Sequence, residues 1–388
     1  LRPLPRAGKT HSRRFVFTQS RRGLPYRRLY WVLLAPVLFL LVQLAERFPA
    51  VTEQVYSLRV YPVLSRSIGR LTGLLPFSLV EICIYLCIVA AVVYLATAIG
   101  GIARDKANRR DRVIRFVSTI ACIGSLWYSA STLFCGFNYH RLSFTEYSGL
   151  YVRNSSVEEL AALCSELVAE ANTLRPRMHT TENGIMATSF DSYYEQGRFA
   201  GESYGALAEA YPMLGGYTPA AKPVLASRAM SHMNIVGIFI PFTYECNINT
   251  DVPDYGIPSS MMHELSHFKG FMREDEANYL AWLACRASGN EEFAYSGTML
   301  ALIHSTNALY ATNKEVYNEV MAPLSQDVWN DMMDNSYYWK QFEGPVSEVS
   351  TAVNNTYLRA NKQADGVKSY GRMVDLLLAE YRQRHGLV

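Results

Sequence analysis

Three long apolar stretches constrain the fold of this chain more than any other part of its sequence. They cover residues 29–45, about 77–99 and about 113–134. The first, with 17 residues, is at the short end for a membrane-spanning helix, and the other two have the usual length. Because the bilayer core offers no hydrogen-bond partner to an open backbone, such stretches cross it as helices. The sequence therefore predicts three transmembrane helices within residues 29–135.

Basic residues flank these stretches unevenly. Residues 1–28 carry nine Lys/Arg and no acid, the loop 100–112 carries five Lys/Arg, and residues 116–388 carry 18 Lys/Arg and 29 Asp/Glu. Because basic loops remain in the cytoplasm, we expect a basic cytoplasmic arm at residues 1–28 and residues 136–388 on the extracytoplasmic side. The basic residues lie next to the membrane stretches, so they indicate contact with the lipid bilayer and no role in binding nucleic acid.

The segment between the first two apolar stretches, residues 46–76, has spaced apolar and basic residues such as Tyr56, Tyr61 and Ile68. This pattern is typical of an amphipathic helix, and we expect the segment to lie on the membrane surface. Glu81, near the start of the second stretch, is expected to reach the lipid headgroups.

The strongest chemical signal is the sequence His-Glu-Leu-Ser-His at residues 263–267. On a helix, residues four apart lie on the same face, so His263 and His267 can bind one metal ion. Glu264 points about 100° away, where its carboxylate can contact a metal-bound water. This H-E-x-x-H arrangement is typical of zinc hydrolases, with two neutral nitrogen ligands and a general base.

The flanking residues support a helix here and suggest a third ligand. Ser259 or Ser260 is the expected N-cap, and Gly270 is expected to end the helix in a left-handed turn. A second helix is expected to begin at Glu274. Because a catalytic zinc takes three protein ligands and keeps one position open, Glu274 is predicted as the third ligand, with Glu276 as the alternative.

Residues 274–278 resemble the Glu-x-x-Ala-Asp/Asn segment of gluzincin peptidases. In that family the glutamate binds zinc and the residue four positions later orients a ligand histidine. The resemblance implies this orienting role for Asn278, and Asp275 is an alternative. The gap between His267 and Glu274 is shorter than gluzincins usually have. The motif is also similar to that of membrane-linked CAAX-prenyl endopeptidases and of ImmA/IrrE-type peptidases.

A wider resemblance rests on residues 56–81, 240–249 and 355–378 together with the two metal helices. These stretches resemble a family of bacterial membrane proteins of unknown function. The resemblance implies three N-terminal membrane helices and a gluzincin-like domain, and it implies no known substrate.

The C-terminal part, residues 136–388, has its own helix and strand signals. We predict helices at 157–174, 293–311 and 315–334, and extended segments at 235–241 and 242–249. In zincins, an edge strand just before the metal helix pairs with an extended peptide, and these segments are either such an edge or a plain core hairpin. The predicted fold class is a membrane α-helical part plus an α+β, zincin-like (gluzincin) soluble domain that is mostly α.

These observations predict a membrane-anchored zinc metallopeptidase that acts on extracytoplasmic or membrane-associated proteins or peptides. Zn2+ is the expected cofactor, and Glu264 is the expected general base. A Tyr, His or Arg outside the metal helix usually stabilises the oxyanion, and Tyr370 and Arg372 are the candidates. The alternative function is a zinc-binding membrane sensor or scaffold without catalysis.

Overall fold

The chain is mostly helical, in agreement with the coarse fold class expected from the sequence. The computed structural model describes residues 30–361 and 372–387, so the predicted arm 1–28 lies outside the described residues. The helices within the described ranges are α1 (Leu34–Arg47), α2 (Pro49–Thr52), α3 (Tyr61–Gly73), α4 (Leu79–Arg104), α5 (Arg109–Phe134), α6 (Thr145–Ser148), α7 (Val157–Leu174), α8 (Tyr193–Ser203), α9 (Ser227–His232), α10 (Ile257–Phe268), α11 (Glu274–Ala287), α12 (Glu291–Thr312), α13 (Lys314–Met321), α14 (Gln326–Lys340), α15 (Pro345–Ala360) and α16 (Met373–His385).

Three of the helical segments are long and apolar enough to cross a membrane: Tyr30–Arg47, which contains α1, together with α4 and α5. Their apolar side chains face outward, and Leu86 and Val89 on α4 are 64% and 62% exposed. The three predicted apolar helices are therefore confirmed, although α4 and α5 extend further toward each other than the apolar stretches indicated. Ser78 caps α4 because its hydroxyl accepts a hydrogen bond from the Glu81 backbone N–H.

The segment between α1 and α4 is helical, as predicted, but it packs against the C-terminal part of the chain. It consists of α2, a π-helix at Glu53–Val60 and α3. The Tyr61 ring is 1% exposed, and its hydroxyl donates to the backbone carbonyls of His267 and Phe268 at 3.0 and 3.2 Å. The expected amphipathic helix on the membrane surface did not anticipate this burial, because an apolar face can cover protein as well as lipid.

Two buried carboxylates strengthen the same junction. Glu53 is fully buried and forms an ion pair of 2.5 Å with Arg141, which follows the membrane-candidate helix α5. Glu81 accepts hydrogen bonds from the backbone N–H groups of Leu225 and Ala226 at 3.0 and 2.8 Å. Glu81 therefore binds a loop of the C-terminal part and not the lipid headgroups, because two orphan N–H groups require an acceptor there.

A small sheet lies in the C-terminal part. The strands β1 (Lys222–Pro223), β2 (Gly237–Ile240) and β3 (Glu245–Ile248) have the order β1-β3-β2, and β2 pairs with β3 in antiparallel register. Tyr244, in the turn before β3, has a φ of 51°. Among the described strands β2 pairs only with β3, so the extended segments predicted at 235–241 and 242–249 form a hairpin with an edge strand.

The predicted helix at 157–174 is confirmed as α7, with a capping box between Ser156 and Glu159. The predicted helix at 293–311 corresponds to α12. The helix predicted at 315–334 is instead two helices, α13 and α14, separated at Ala322 and Pro323. Pro323 has no N–H to continue the first helix, and the Ser325 hydroxyl accepts from the Val328 N–H to begin the second.

The core forms around α10, which packs against α11 and β3, while α12 and α16 cover α11. Met261, Leu265 and Leu280 are fully buried there. This packing fixes the relative position of α10 and α11, the two helices that carry the predicted metal ligands.

Candidate metal centre

The first metal helix, α10, begins earlier than predicted. Its N-cap is Gly256, and Pro258 lies in its first turn, where a missing N–H costs nothing. The hydroxyls of Ser259 and Ser260 donate to the Gly256 carbonyl at 3.1 and 2.8 Å, so neither serine is the N-cap that we expected. Because the helix starts before these serines, their side chains bond back to the preceding turn.

The end of α10 follows the prediction. Gly270 has a φ of 92°, and the Phe271 N–H donates to the Ser266 carbonyl at 3.1 Å, as in a Schellman turn. A Cβ at Gly270 would lie 3.0 Å from Asn138 Nδ2 and 3.1 Å from the Tyr61 ring. The turn therefore needs glycine both for its backbone conformation and for space, and it directs the chain back toward Glu274.

Three side chains converge at this turn. His263, His267 and Glu274 each offer a ligand atom, and these atoms all lie within 4.8 Å of one another. Glu274 Oε2 lies 3.1 Å from His263 Nε2 and 3.7 Å from His267 Nε2. The structure thus brings together the two histidines of α10 and the first residue of α11. Two imidazole nitrogens and one carboxylate oxygen form a ligand set that suits zinc.

The other nitrogen of each imidazole is held by an acceptor. His263 Nδ1 lies 2.7 Å from Asn278 Oδ1, and His267 Nδ1 lies 2.8 Å from the Phe271 carbonyl. A carbonyl oxygen can only accept, so each Nδ1 carries a proton, and in the neutral imidazole Nε2 is the nitrogen that keeps a lone pair. Hydrogen bonds of this kind orient metal-binding histidines, and the donor set therefore fits a zinc ion.

Asn278 occupies the position that the gluzincin resemblance gave to a histidine-orienting residue. The alternative, Asp275, instead accepts the Glu276 N–H at 3.0 Å and lies 4.0 Å from Arg372 Nε. Of the two, Asn278 is the residue that contacts a cluster histidine.

The electrostatics of the cluster reflect its burial. Burial lowers the pKa of the His267 imidazole, but the charge and hydrogen bond of Glu274 outweigh burial and raise it to about 9. Burial raises the pKa of Glu274, but His267 and His263 outweigh burial and lower it to about 2. Without a metal ion, the Glu274 carboxylate and the protonated His267 imidazole therefore form an ion pair, and a metal ion would displace the proton.

Glu264 lies on the side of α10 that faces the edge strand β2. Its carboxylate accepts the backbone N–H of Phe239 and interacts electrostatically with His263 and His267, while burial raises its pKa. A Cβ at Gly237 would lie 2.6 Å from Glu264 Oε1, so only glycine leaves room for this carboxylate. Glu264 Oε2 is buried and has no hydrogen-bond partner among the described residues, so it can still accept a proton from a bound water.

Glu276, the alternative third ligand, is held elsewhere. Its Oε1 accepts the Phe144 N–H at 2.6 Å and pairs with Arg273, and burial raises its pKa. The ligand cluster contains Glu274 and not Glu276. A step of two residues along α11 therefore separates an acid in the cluster from an acid that anchors the loop after α5.

Of the two residues predicted to stabilise the oxyanion, one lies among the described residues. Tyr370 lies outside the described residues. The Arg372 side chain is 44% exposed, with its Nε 4.0 Å from Asp275 Oδ2, beside the N-terminus of α11. Arg372 thus lies beside Asp275, the residue that follows Glu274.

A pair of tyrosines near the cluster was missed by the sequence reasoning. Tyr139 lies in the 3₁₀ turn Gly136–His140 and Tyr357 lies on α15, and their hydroxyls are 3.1 Å apart. Tyr357 as a whole is 45% exposed, but the surrounding protein desolvates both hydroxyls and raises the pKa of each, and the charge of Glu274 adds to this, so both stay protonated. Tyr357 lay in a stretch rich in Tyr and Arg, but nothing in the sequence near Tyr139 indicated this pairing.

One comparison with known proteins gave a match. A family model described as a protein of unknown function (DUF3810) matches residues 56–378. Comparisons with curated proteins and with solved structures found no match. The matched region includes α3, α10 and α11, and its description assigns no chemistry.

Proposed function

The chain belongs to this family of proteins of unknown function, DUF3810, and we propose that it is a membrane-anchored zinc metallopeptidase. The observation that carries the proposal is the convergence of His263, His267 and Glu274, with Glu264 beside them. A structural zinc site needs no adjacent carboxylate with an unused oxygen, whereas a hydrolytic site needs a base in this position.

The roles of the side chains follow from their contacts. Asn278 and the Phe271 carbonyl hold the two imidazoles with Nε2 toward Glu274. A zinc ion bound there would acidify a water and polarise a carbonyl group. Glu264 takes the proton of the attacking water and delivers it to the leaving nitrogen. Its raised pKa helps with delivery, because a carboxylate that holds a proton more tightly is a better carrier near neutral pH.

The edge strand β2 supports a peptide as the substrate. Its edge lies beside Glu264, because the Phe239 N–H donates to that carboxylate. An extended peptide can add to such an edge through backbone hydrogen bonds, which would hold a scissile bond close to the general base. Tyr139 and Tyr357, as protonated hydroxyls near Glu274, are suited to donate to an oxygen that gains negative charge.

The substrates lie outside the cytoplasm in this proposal, because the basic loops favour a cytoplasmic N-terminus and place residues 136–388 on the opposite side. A reporter that is active only outside the cytoplasm tests this orientation. It should be active when fused after residue 388 and inactive when fused near residue 106, and the reverse pattern would contradict the orientation.

The test of the activity compares the purified full chain with Glu264→Gln on a peptide library read by mass spectrometry. Gln keeps the shape but cannot accept the proton, so cleavage should fall by about 10²–10⁴-fold while the zinc content stays the same. Glu291→Gln, an exposed residue at the start of α12, is the matched control and should cleave like the wild type. Equal cleavage by Glu264→Gln would contradict the mechanism.

The second candidate function is zinc-dependent binding without turnover, as in a membrane sensor or scaffold. The observation that favours it is the limited access to the cluster, because the ligand side chains are only 9–13% exposed. If zinc is bound but neither wild type nor variant cleaves any library peptide, this function replaces the peptidase.

A further inference from the structure

A small cavity beside the end of α10 has an unusual concentration of positive charge. Its volume is about 190 Å³, and it lies between the segment that precedes α4 and the end of the metal helix. Sites for drug-sized ligands begin at roughly 300 Å³, so this cavity suits only a small group. The polar side chains that line it are Ser57, Tyr61, Ser65, Arg66, Arg141, Tyr217 and Lys269, and none of the lining residues is acidic.

The three cations of this cavity differ in how they are neutralised. Arg141 is paired with the buried carboxylate of Glu53. Arg66 and Lys269 share the Gly215 carbonyl as an acceptor, at 3.1 and 3.4 Å, and Lys269 also donates to the Gly216 and Tyr217 carbonyls at 3.3 and 3.2 Å. Within the described part of the chain, neither has a carboxylate within ion-pair distance. Two cations that share one neutral acceptor repel each other, and an anion between them would remove that cost.

A hydroxyl in the same cavity lacks a partner. Ser57 is 4% exposed, and its Oγ has no hydrogen-bond partner among the described residues. It lies in the π-helix Glu53–Val60, a conformation that is rare and frequently found at functional sites. Because an unsatisfied buried hydroxyl costs stability, a ligand that accepts from Ser57 would be favoured there.

We propose that this cavity binds a phosphate group, held by Arg66, Lys269 and the Ser57 hydroxyl. The group can belong to an anionic lipid or to a free phosphate ion. A lipid is within reach because Tyr56, next to Ser57, donates to the Leu133 carbonyl near the end of the membrane-candidate helix α5. The proposal is independent of the peptidase function, although Tyr61 lines the cavity and contacts the His267 carbonyl.

The test uses the full chain in nanodiscs of phosphatidylcholine, titrated with inorganic phosphate, and in nanodiscs that also contain phosphatidylglycerol. Saturating phosphate should raise the Tm by about 5 °C, whereas chloride at equal ionic strength should not. A shift with phosphate identifies a site open to free phosphate, and a shift with phosphatidylglycerol alone identifies a lipid headgroup. The absence of both shifts in the wild type would overturn the proposal.

The matched variants are Arg66→Gln in the cavity and Arg59→Gln, an exposed residue on the same segment. The shift should disappear in the first and persist in the second, and equal shifts in both would also overturn the proposal. Should Arg66→Gln fail to fold, Ser57→Ala removes only a hydroxyl and should weaken binding by about tenfold. Unchanged binding in Ser57→Ala would then refute the assigned site.

Discussion

Asn278 Oδ1 lies 2.7 Å from His263 Nδ1, so a side chain on α11 fixes the ring of a candidate metal ligand on α10. This contact joins the two helices at the point where their candidate ligands His263, His267 and Glu274 meet. It also fixes which imidazole nitrogen carries the proton, and hence which nitrogen is left for a metal ion.

The first prediction concerns this contact. Asn278→Ala leaves all three ligands in place but frees the His263 ring, so zinc affinity should fall by about 10–100-fold. Asn278→Asp keeps an acceptor and should retain most of the affinity. Competition with a chromophoric chelator measures both variants, and wild-type affinity in Asn278→Ala would contradict the orienting role.

The second prediction separates the two buried acids of α11. Glu274→Gln should lose most of the bound zinc, because it removes the only carboxylate of the cluster within the described residues. Glu276→Gln should keep its zinc and lose thermal stability instead, since Glu276 pairs with Arg273 and accepts the Phe144 N–H. Elemental analysis and thermal unfolding distinguish these results. Zinc loss in Glu276→Gln but not in Glu274→Gln would show that Glu276 is the ligand and that Glu274 is not.

The third prediction concerns pH. In the metal-free protein Glu274 outweighs the effect of burial and raises the pKa of His267 to about 9, so zinc must displace a proton at neutral pH. Zinc affinity should therefore increase up to about pH 9, by about tenfold per unit for each proton released. A histidine with an ordinary pKa would give a plateau above about pH 6.5. Calorimetry in buffers of different ionisation enthalpy counts the protons, and a count of zero at pH 7 would contradict this prediction.

The raised pKa of His267 affects the stability of the metal-free fold in the opposite direction. The raised pKa of His267 stabilises the folded chain fully below the unfolded-state pKa of about 6.5. This stabilisation is lost as the pH rises through about 9. Raising the pH should thus weaken the metal-free fold while it strengthens zinc binding.

The fourth prediction compares two glycines that follow helices and have positive φ. Gly270 has close neighbours, whereas a Cβ at Gly289 would meet nothing within 4 Å. Each Gly→Ala change should cost roughly 1 kcal/mol for the left-handed backbone. Gly270→Ala should cost about 1–3 kcal/mol more, because the Cβ crowds Asn138 and Tyr61. Thermal unfolding of both variants measures the difference, and equal losses would show that the crowding is relieved at no cost.

The fifth prediction concerns the tyrosine pair and rests on the proposed peptidase activity. Tyr357→Phe and Tyr139→Phe should each lower kcat by about 10²-fold with unchanged zinc content, as expected for loss of an oxyanion donor. Tyr310→Phe, on the exposed face of α12, is the control. An effect on KM alone, or no effect in either variant, would assign the pair a structural role.

The sequence predicted those parts of the site that depend on local spacing. His263, Glu264 and His267 lie on one helix, and the turn at Gly270 follows from a single residue type, so short-range rules suffice. The pairing of Tyr139 with Tyr357 joins positions 218 residues apart. Such a contact depends on how helices pack, which residue spacing does not encode.

The segment between α1 and α4 shows the same limit of prediction from sequence. The apolar face of α3 was visible in the sequence, but its pattern did not reveal whether lipid or protein covers it. Tyr61 contacts His267, and Glu53 pairs with Arg141. These contacts between residues far apart in the sequence show that protein covers the segment. The break at Pro323 is a local signal, but apolar residues continue on both sides of it and favour a single helix.

The hydroxyl of Tyr61 links the segment between α1 and α4 to the end of α10, so the C-terminal part of the chain depends on that segment. A fragment released by proteolysis after α5 would lack the donor to the His267 carbonyl and the carboxylate that neutralises Arg141. It would also expose Phe268, which packs on Gly69 of α3. Release from the membrane-candidate helices would therefore remove contacts that position the candidate metal centre. The minimal unit that keeps the three candidate ligands supported begins within the segment between α1 and α4, and it must include α4 and α5.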